Sequence, residues 1–154
     1  MRSKYPIMTT VNIYLTFTGN CEEAFNFYKK AFGGEFASVN RFSEMPPQEG
    51  MPPIPADQKE KIMHITLPIS KETVLMGSDT SEAFGQVTTI GNNFSISINT
   101  DSREKADSYF KTLSEGGRVT MPLQDTFWGA YWGMFTDKFG IGWQVNADTR
   151  GNKG

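Results

Sequence analysis

The chain has 154 residues, with 15 basic and 17 acidic side chains and a formal net charge of −2 at pH 7. This length fits one domain, and the absence of a lysine and arginine cluster argues against a nucleic-acid-binding surface. Cys21 is the only cysteine, which excludes an internal disulfide and a cysteine-based zinc site. Residues 1–10 lack the apolar core of a secretion signal and no run is long enough to span a membrane, so we expect a cytoplasmic protein without a membrane partner.

Two stretches of the chain repeat one pattern. Residues 12–34 and residues 93–117 each begin with asparagine, form an alternating strand, pass a capping residue into an amphipathic helix and end at Gly-Gly. Such a duplication predicts two half-shells that close around a cleft. It divides the chain into a first module (residues 8–79), a linker (80–91) and a second module (92–148) within one structural domain.

The first module opens with a predicted strand over residues 11–18. Its odd-numbered residues, beginning with Val11, are apolar and predict the core face, and Tyr14 lies on the opposite face. Asn20 is the expected N-cap of the helix that follows, with Glu23 as its capping-box partner. The predicted buried stripe of this helix consists of Ala24, Phe27, Tyr28, Ala31 and Phe32.

The rest of the first module is predicted as a strand over residues 35–42, a proline-rich loop, and strands over residues 61–69 and 72–77. Five of the eight prolines lie in residues 43–61, which predicts a long loop that serves as a ligand-covering lid or as a solvated excursion. In the strand over residues 61–69, Ile65, Leu67 and Ile69 point inward, and His64 and Thr66 lie on the opposite face.

The second module repeats this order. A strand over residues 94–100 leads to a helix over residues 101–114, for which Asp101 is the expected N-cap, and further strands are predicted near residues 118–123, 131–136 and 142–146. The fold class is therefore α+β, with two βαβββ modules that form a cupped, curved mixed β-sheet.

Three groups of residues carry candidate chemistry. His64, the only histidine, could act as an acid or base, as a neutral hydrogen-bond partner or as a metal ligand with partners from elsewhere. Asp125, Trp128 and Trp132 lie in an aromatic, glycine-punctuated segment that forms a pocket rim, closes the end of a barrel or fills the seam of a dimer. Asp137 opens a predicted hairpin turn that precedes Gln144 on the expected cleft side.

The predicted modules, together with the segments NCEEAFNFYKKAFGGEF, MHITL and LQDTFWGAYWGMFTDKFGIGWQVN, resemble the vicinal oxygen chelate superfamily and, within it, the PhnB-like branch. The superfamily includes glyoxalases, extradiol dioxygenases, fosfomycin-resistance transferases and bleomycin-binding proteins. The resemblance implies a β-cup built from paired modules, often through a homodimer, with the site inside. PhnB-like members often carry a demethylubiquinone methyltransferase label, but this sequence has no S-adenosylmethionine-binding signature.

The resemblance also implies a divalent metal held by the first and last strand of each module. Carried over by face and register, these positions fall near Asn12 and Met76 in the first module and near Asn93 and Gln144 in the second. Neutral amides and a thioether are weak ligands for zinc or iron(II). We therefore expect neither the usual catalytic metal nor another cofactor, and a divalent metal that uses His64 is the alternative.

These observations lead to the hypothesis of a homodimer that binds a small apolar or aromatic molecule in its β-cup. The expected ligand-binding residues are Asn12, Tyr14, Thr66, Asn93, Trp128, Trp132 and Gln144. His64 and Asp125 are the candidates for proton transfer if a reaction is catalysed. The alternatives are a metal-dependent enzyme of glyoxalase or dioxygenase type and a drug-sequestering protein of bleomycin-resistance type.

Overall fold

The computed structural model describes residues 9–47, 49–81 and 85–148, which form two α-helices and two four-stranded sheets. Residue 8 of the predicted first module and residues 82–84 of the predicted linker lie outside the described residues. The first unit contains β1 (Ile13–Phe17), α1 (Cys21–Phe32), β2 (Ser38–Arg41), β3 (Ile62–Pro68) and β4 (Val74–Asp79). The second unit contains β5 (Ile96–Thr100), α2 (Arg103–Ser114), β6 (Arg118–Asp125), β7 (Ala130–Thr136) and β8 (Gly142–Asp148).

The two sheets share one topology. The strand order is β1-β4-β3-β2 in the first sheet and β5-β8-β7-β6 in the second. In each sheet the first and last strands of the unit pair in parallel, and the other neighbours are antiparallel. The predicted α+β fold of two βαβββ units is thereby confirmed. Neither α-helix in the described part of the chain is long and apolar enough to cross a bilayer.

Each sheet has an inner face covered by helices and an outer face that the helices leave open. On β3 the predicted alternation is confirmed, because Ile65 and Leu67 are buried on the inner face and His64 and Thr66 lie on the outer face. Val11, predicted to belong to the core face, is instead 94% exposed. The sheet begins only at Ile13, so no neighbouring strand covers Val11.

The helix starts differ from the capping predictions. Asn20 is the residue before α1, but its side chain makes no capping hydrogen bond. Instead the buried Asp79, at the end of β4, accepts hydrogen bonds from the backbone N–H groups of Gly19 and Cys21 through Oδ1 and of Ile62 through Oδ2, each at 2.9 Å. The prediction failed because a carboxylate distant in sequence accepts the orphan N–H group of Cys21, the first residue of the helix.

The N-cap of α2 also differs from the prediction. Ser102 caps the helix by accepting a hydrogen bond from the Lys105 N–H at 3.1 Å. Asp101, the predicted cap, lies one residue too early and forms an ion pair with the Lys105 ammonium group at 3.0 Å. The sequence therefore placed the helix start correctly to within one or two residues but chose the wrong side chain.

The proline-rich segment is not wholly irregular. It contains two short 3₁₀-helices, Phe42–Glu44 and Ala56–Gln58, although residues 43–61 were predicted to lack regular structure. Proline at the residue before the second turn is compatible with this geometry, since a first helical turn leaves its N–H groups unpaired in any case. Residue 48 of this predicted loop lies outside the described residues.

The two units meet through their helices and a cluster of aromatic rings. The ring of Tyr28 on α1 lies 5.4 Å from that of Trp143 on β8, and Phe32 lies 5.3 Å from Tyr109 on α2. Asp137 links the two units at this junction, because its Oδ2 accepts hydrogen bonds from the Tyr28 hydroxyl at 2.7 Å and from Trp143 Nε1 at 2.8 Å. The inner faces thus share one core, and the outer faces remain available for a ligand or a partner.

Candidate functional site

The outer face of the first sheet brings three predicted site residues together. The Tyr14 hydroxyl lies 3.3 Å from His64 Nδ1, and His64 Nε2 lies 2.8 Å from Thr66 Oγ1. The Tyr14 and His64 rings are tilted by 37° with centroids 5.7 Å apart. Both nitrogens of the only histidine are therefore engaged by hydroxyl groups.

Strand register explains this arrangement. Tyr14 on β1 is opposite Met76 on β4, Met76 is opposite Thr66 on β3, and Thr66 is opposite Ser38 on β2. Residues opposite one another in a sheet share a face, so this row lies on the outer face. Ser38 donates a hydrogen bond to Thr66 Oγ1 at 3.2 Å. Sequence reasoning missed Ser38, because nothing local distinguishes this serine until β2 pairs with β3.

The outer face of the second sheet carries a different hydrogen-bonded line. Trp132 Nε1 donates to Gln144 Oε1 at 3.0 Å, and Gln144 Nε2 donates to Ser95 Oγ at 2.8 Å. The side chain of Gln144 lies on the outer face of β8, whereas those of its neighbours Trp143 and Val145 are buried on the inner face, as predicted. The ring of Trp128, which is 49% exposed, lies 6.3 Å from that of Trp132. The predicted residues of the second module therefore form a second cluster.

A cavity of about 880 Å³ lies over the end of the second sheet where β5, β6 and β8 begin. The predicted residue Asn93 lines it, and Ser95 connects it to Gln144. The wall combines apolar and polar side chains, and the guanidinium group of Arg118 lies among them. The apolar lining consists of Ile90, Phe94, Met121, Met134, Phe135 and Trp143. Sequence reasoning missed Arg118, which stands at the start of an edge strand without any motif around it.

Two of the predicted residues lie apart from these clusters. Asp125 is exposed and forms a two-pronged ion pair with Arg103, at 2.6 and 3.2 Å. This hydrogen bonding, with the charge of Arg103, holds the pKa of Asp125 below its usual value, so the group is a carboxylate with little capacity to donate a proton. Asn12 donates a hydrogen bond to Thr10 at 3.1 Å, just outside β1.

Within one chain, the two clusters remain separate. Among residues 9–47, 49–81 and 85–148, no hydrogen bond or ring contact joins the Tyr14–His64–Thr66 group to the Trp132–Gln144 group. Each sheet therefore carries its own cluster of candidate residues.

The donor set does not fit the divalent metal that the resemblance implies. Both ends of the Gln144 amide are used by Trp132 and Ser95. The described residues contain no group of three or more histidine, cysteine, aspartate or glutamate side chains that could hold a metal ion. An isolated imidazole with amides and a thioether makes a poor cage for zinc or iron(II).

Comparisons with known proteins agree with this architecture. The profile of the Glyoxalase/Bleomycin resistance protein/Dioxygenase superfamily matches residues 10–145. Protein YjdN of Escherichia coli (strain K12) is 29% identical over 138 residues, which cover 86% of this chain and 91% of that protein.

Two solved structures are similar over nearly the whole chain. Protein PA1353 from Pseudomonas aeruginosa has a TM-score of 0.79 and 40% identity, with 92% of this chain and 98% of that chain covered. A protein from Bacillus cereus described as a putative 3-demethylubiquinone-9 3-methyltransferase, PhnB protein, has a TM-score of 0.70 and 25% identity, with 90% and 99% covered.

Proposed function

Because the chain belongs to the glyoxalase/bleomycin resistance protein/dioxygenase superfamily, we propose that it binds a small apolar or aromatic molecule in a β-cup, without the catalytic metal usual in that superfamily. The observation that carries this proposal is the cavity of about 880 Å³ on the second sheet. Its size suits a small-molecule ligand, and its mixed lining is typical of ligand sites.

The lining also indicates the chemistry of the ligand. Met121 and Met134 offer adaptable apolar surface. Arg118 supplies a permanent positive charge, and Asn93 supplies an amide. An aromatic compound with an anionic or hydrogen-bond-accepting group would satisfy both kinds of surface. Trp132 lies outside this lining and is connected to it through Gln144 and Ser95, so Trp128 and Trp132 would extend the surface for stacking beyond the cavity itself.

We further propose that two copies of the chain form a homodimer that closes the cup. Support comes from the two outer faces, which each carry half of the candidate residues and are not joined within one chain. In the proposed assembly, the Tyr14–His64–Thr66 group of one copy faces the Trp132–Gln144 group of the other. Sedimentation equilibrium should give twice the mass of one chain, and a monomer at every concentration would contradict this arrangement.

The proposed absence of a catalytic metal rests on the donor chemistry described above. Elemental analysis of protein purified without chelators should find no stoichiometric divalent metal. One metal ion per chain that is lost on His64→Ala substitution would instead favour a metal-dependent glyoxalase- or dioxygenase-type enzyme. We do not extend the methyltransferase description of the Bacillus cereus protein to this chain, which has no S-adenosylmethionine-binding signature.

Three probes of one skeleton test the binding proposal: 2-naphthoate, 2-acetonaphthone and 2-ethylnaphthalene. We expect calorimetry to show binding, with 2-naphthoate the tightest because Arg118 pairs with its carboxylate. Met121→Glu should abolish binding of 2-naphthoate, since it adds a negative charge inside the apolar wall. Val11→Glu is the matched control, because it adds the same charge at an exposed apolar residue outside the cavity.

Two results would contradict the proposal. One is no binding of any of the three probes at about 1 mM. The other is equal loss of binding in the Met121→Glu and Val11→Glu variants, which would place the ligand elsewhere. A thermal shift produced by a bulky cationic drug such as bleomycin, but by none of the probes, would favour sequestration instead.

We also propose a cytoplasmic location, which cell fractionation would test.

A further inference from the structure

Four side chains on the outer face of the first sheet form one hydrogen-bonded line from Ser38 to Tyr14. We propose that Ser38, acting through Thr66, holds the neutral His64 ring with its proton on Nδ1, so that Tyr14 offers its own hydroxyl hydrogen to an oxygen acceptor on the ligand. The ligand part of this inference rests on the function proposed above. The part that concerns the histidine tautomer is independent of any ligand.

The donor and acceptor of each hydrogen bond in this line can be assigned in turn, starting from Ser38. The Ser38 hydroxyl donates to Thr66 Oγ1 at 3.2 Å. Thr66 Oγ1 has one further partner among the described residues, which is His64 Nε2 at 2.8 Å. A threonine hydroxyl has one hydrogen to donate. If Nε2 also donated to Thr66, that hydrogen would have no acceptor among the described residues, so Thr66 donates and Nε2 accepts.

The assignment at Nε2 fixes the other end of the ring. A neutral imidazole carries one proton, so an accepting Nε2 leaves the proton on Nδ1. Nδ1 then donates to the Tyr14 oxygen, which lies 3.3 Å away. The Tyr14 hydroxyl hydrogen has no other acceptor among the described residues, and Tyr14 is 46% exposed on the outer face. It is therefore available to a ligand carbonyl or carboxylate oxygen.

In this arrangement Tyr14 is the group that touches the ligand, and Ser38, Thr66 and His64 are positioning residues. With the opposite polarity, Tyr14 would donate to Nδ1 and present only its lone pairs to the ligand. The two polarities require different ligands, because one face offers a hydrogen and the other accepts one. The tautomer of His64 therefore shows whether Tyr14 presents a hydrogen-bond donor or an acceptor to the ligand.

The tautomer can be measured directly, because the chain contains one histidine. Long-range ¹H–¹⁵N correlation of the labelled protein at about pH 8.5, where an imidazole is ordinarily neutral, should show a protonated Nδ1 and an unprotonated Nε2. This is the reverse of the preference of free histidine in water. A protonated Nε2 in the native protein would overturn the inference.

Substitutions along the line provide the controls. Ser38→Ala should move the population from mostly Nδ1–H to mostly Nε2–H, since the Thr66 oxygen is then open to a donated hydrogen. Thr66→Val should have the same effect, and Thr66→Ser should restore the native spectrum. Ser70→Ala is the matched control, because the Ser70 hydroxyl hydrogen-bonds to that of Thr73 in the β3–β4 turn, outside the line from Ser38 to Tyr14. Unchanged nitrogen shifts in Ser38→Ala would refute the role of Ser38.

The ligand part is tested with the carbonyl-bearing and carbonyl-free probes. Tyr14→Phe should weaken 2-acetonaphthone binding by about tenfold, the effect of one lost hydrogen bond, and leave 2-ethylnaphthalene unchanged. Equal weakening of both would overturn the donor role of Tyr14. If the tautomer is as expected but no probe binds the native protein, the proposed function fails together with the donor role. If the probes bind and Nε2 is protonated, only this inference fails.

Discussion

The outer face of the first sheet and the outer face of the second sheet are chemically unlike, although the two sheets have the same strand order. The first carries a line of hydroxyl groups around the imidazole of His64, the only histidine in the chain. The second carries the methionines and the arginine that line a cavity, and beside them the hydrogen-bonded pair of Trp132 and Gln144. The inner faces, by contrast, are both aromatic and share one core.

This contrast shows where a duplicated fold can diverge. Inner-face residues must satisfy the packing of a helix on a sheet, and any change of volume there affects stability. Outer-face residues have no such constraint until a ligand or partner covers them. A polar surface and an apolar surface can therefore arise on two copies of one framework, whereas substitutions on the inner faces should destabilise both units.

We expect the largest effects on stability from substitution of the buried carboxylates Asp137 and Asp79, because each holds a different part of the molecule together. Asp137 accepts hydrogen bonds from Tyr28, Trp143 and the N–H groups of Phe139 and Ile141, so it joins the two units. Asp137→Ala should lower the free energy of unfolding by about 4 kcal/mol, because buried donors lose their acceptor.

Asp79 serves as the comparison, since it accepts only backbone N–H groups within the first unit. We expect Asp79→Ala to cost about 3 kcal/mol in urea unfolding and Asp57→Ala, at an exposed site, less than about 0.5 kcal/mol. A larger loss for Asp79→Ala than for Asp137→Ala would mean that the junction between the units adds little to stability.

The next effect tests whether the inner faces are equivalent. A Cβ atom at Gly77 would lie 2.6 Å from the Phe25 ring, and one at Gly133 would lie 2.8 Å from the Phe110 ring. Each glycine therefore lets an aromatic side chain of the covering helix contact the sheet. Alanine at Gly77 should cost about 3 kcal/mol and alanine at Gly133 about 2 kcal/mol, because Phe25 is fully buried and Phe110 only partly.

Thermal or urea unfolding of the two variants checks this expectation. Gly91→Ala is the control, since its nearest neighbour would be 3.7 Å from the added Cβ. No loss in either variant would show that the rings shift at little cost.

A smaller effect should appear at alkaline pH and should originate in the first unit. Burial, followed by the charges of Asp79 and Glu22, raises the pKa of Cys21 above its ordinary 9.0. Burial and the Asp137 carboxylate raise the pKa of Tyr28 above its ordinary 10.0. The unfolded chain therefore loses these protons at lower pH than the folded chain, and stability falls as pH rises.

The expected slope is about 1.4 kcal/mol per pH unit above about pH 9, and it doubles above about pH 10 where Tyr28 contributes. Urea unfolding measured across this range checks the prediction. In Cys21→Ala the decline should begin only near the tyrosine range. An unchanged onset in that variant would show that the thiol does not cause the decline.

The smallest effect is expected at Asp125, the second of the two predicted proton-transfer residues. The Arg103–Asp125 ion pair is solvent-exposed, and such pairs contribute little to stability. Asp125→Asn should leave probe affinity and the midpoint of urea unfolding unchanged. A marked loss of probe affinity in Asp125→Asn would place Asp125 in the binding site. The ligand-binding residues of the second sheet would then include a charged carboxylate.

The sequence was sufficient for features that depend on periodicity. Alternation in residues 61–69 placed His64 and Thr66 on one face, and the same pattern in residues 142–146 placed Gln144 opposite the core. Both predictions hold because a strand has a period of two residues whatever its partners are.

The sequence was insufficient for features that depend on pairing between distant strands. Ser38 gains its role only when β2 aligns with β3, and Ser95 only when it meets Gln144, 49 residues further along the chain. The Asn20 prediction failed for the same reason, since Asp79 is 58 residues from the N–H group of Cys21. Local patterns do not contain this information.

The three hydrogen bonds to Asp79 also have a kinetic consequence. The amide hydrogens of Gly19, Cys21 and Ile62 share one acceptor side chain, although they belong to the β1–α1 connection, the start of α1 and the start of β3. A hydrogen-bonded amide exchanges with deuterated water when its hydrogen bond opens, so we expect exchange at all three sites to require release of Asp79. These three sites should therefore open together as one cooperative segment, with similar protection factors, rather than fray one after another.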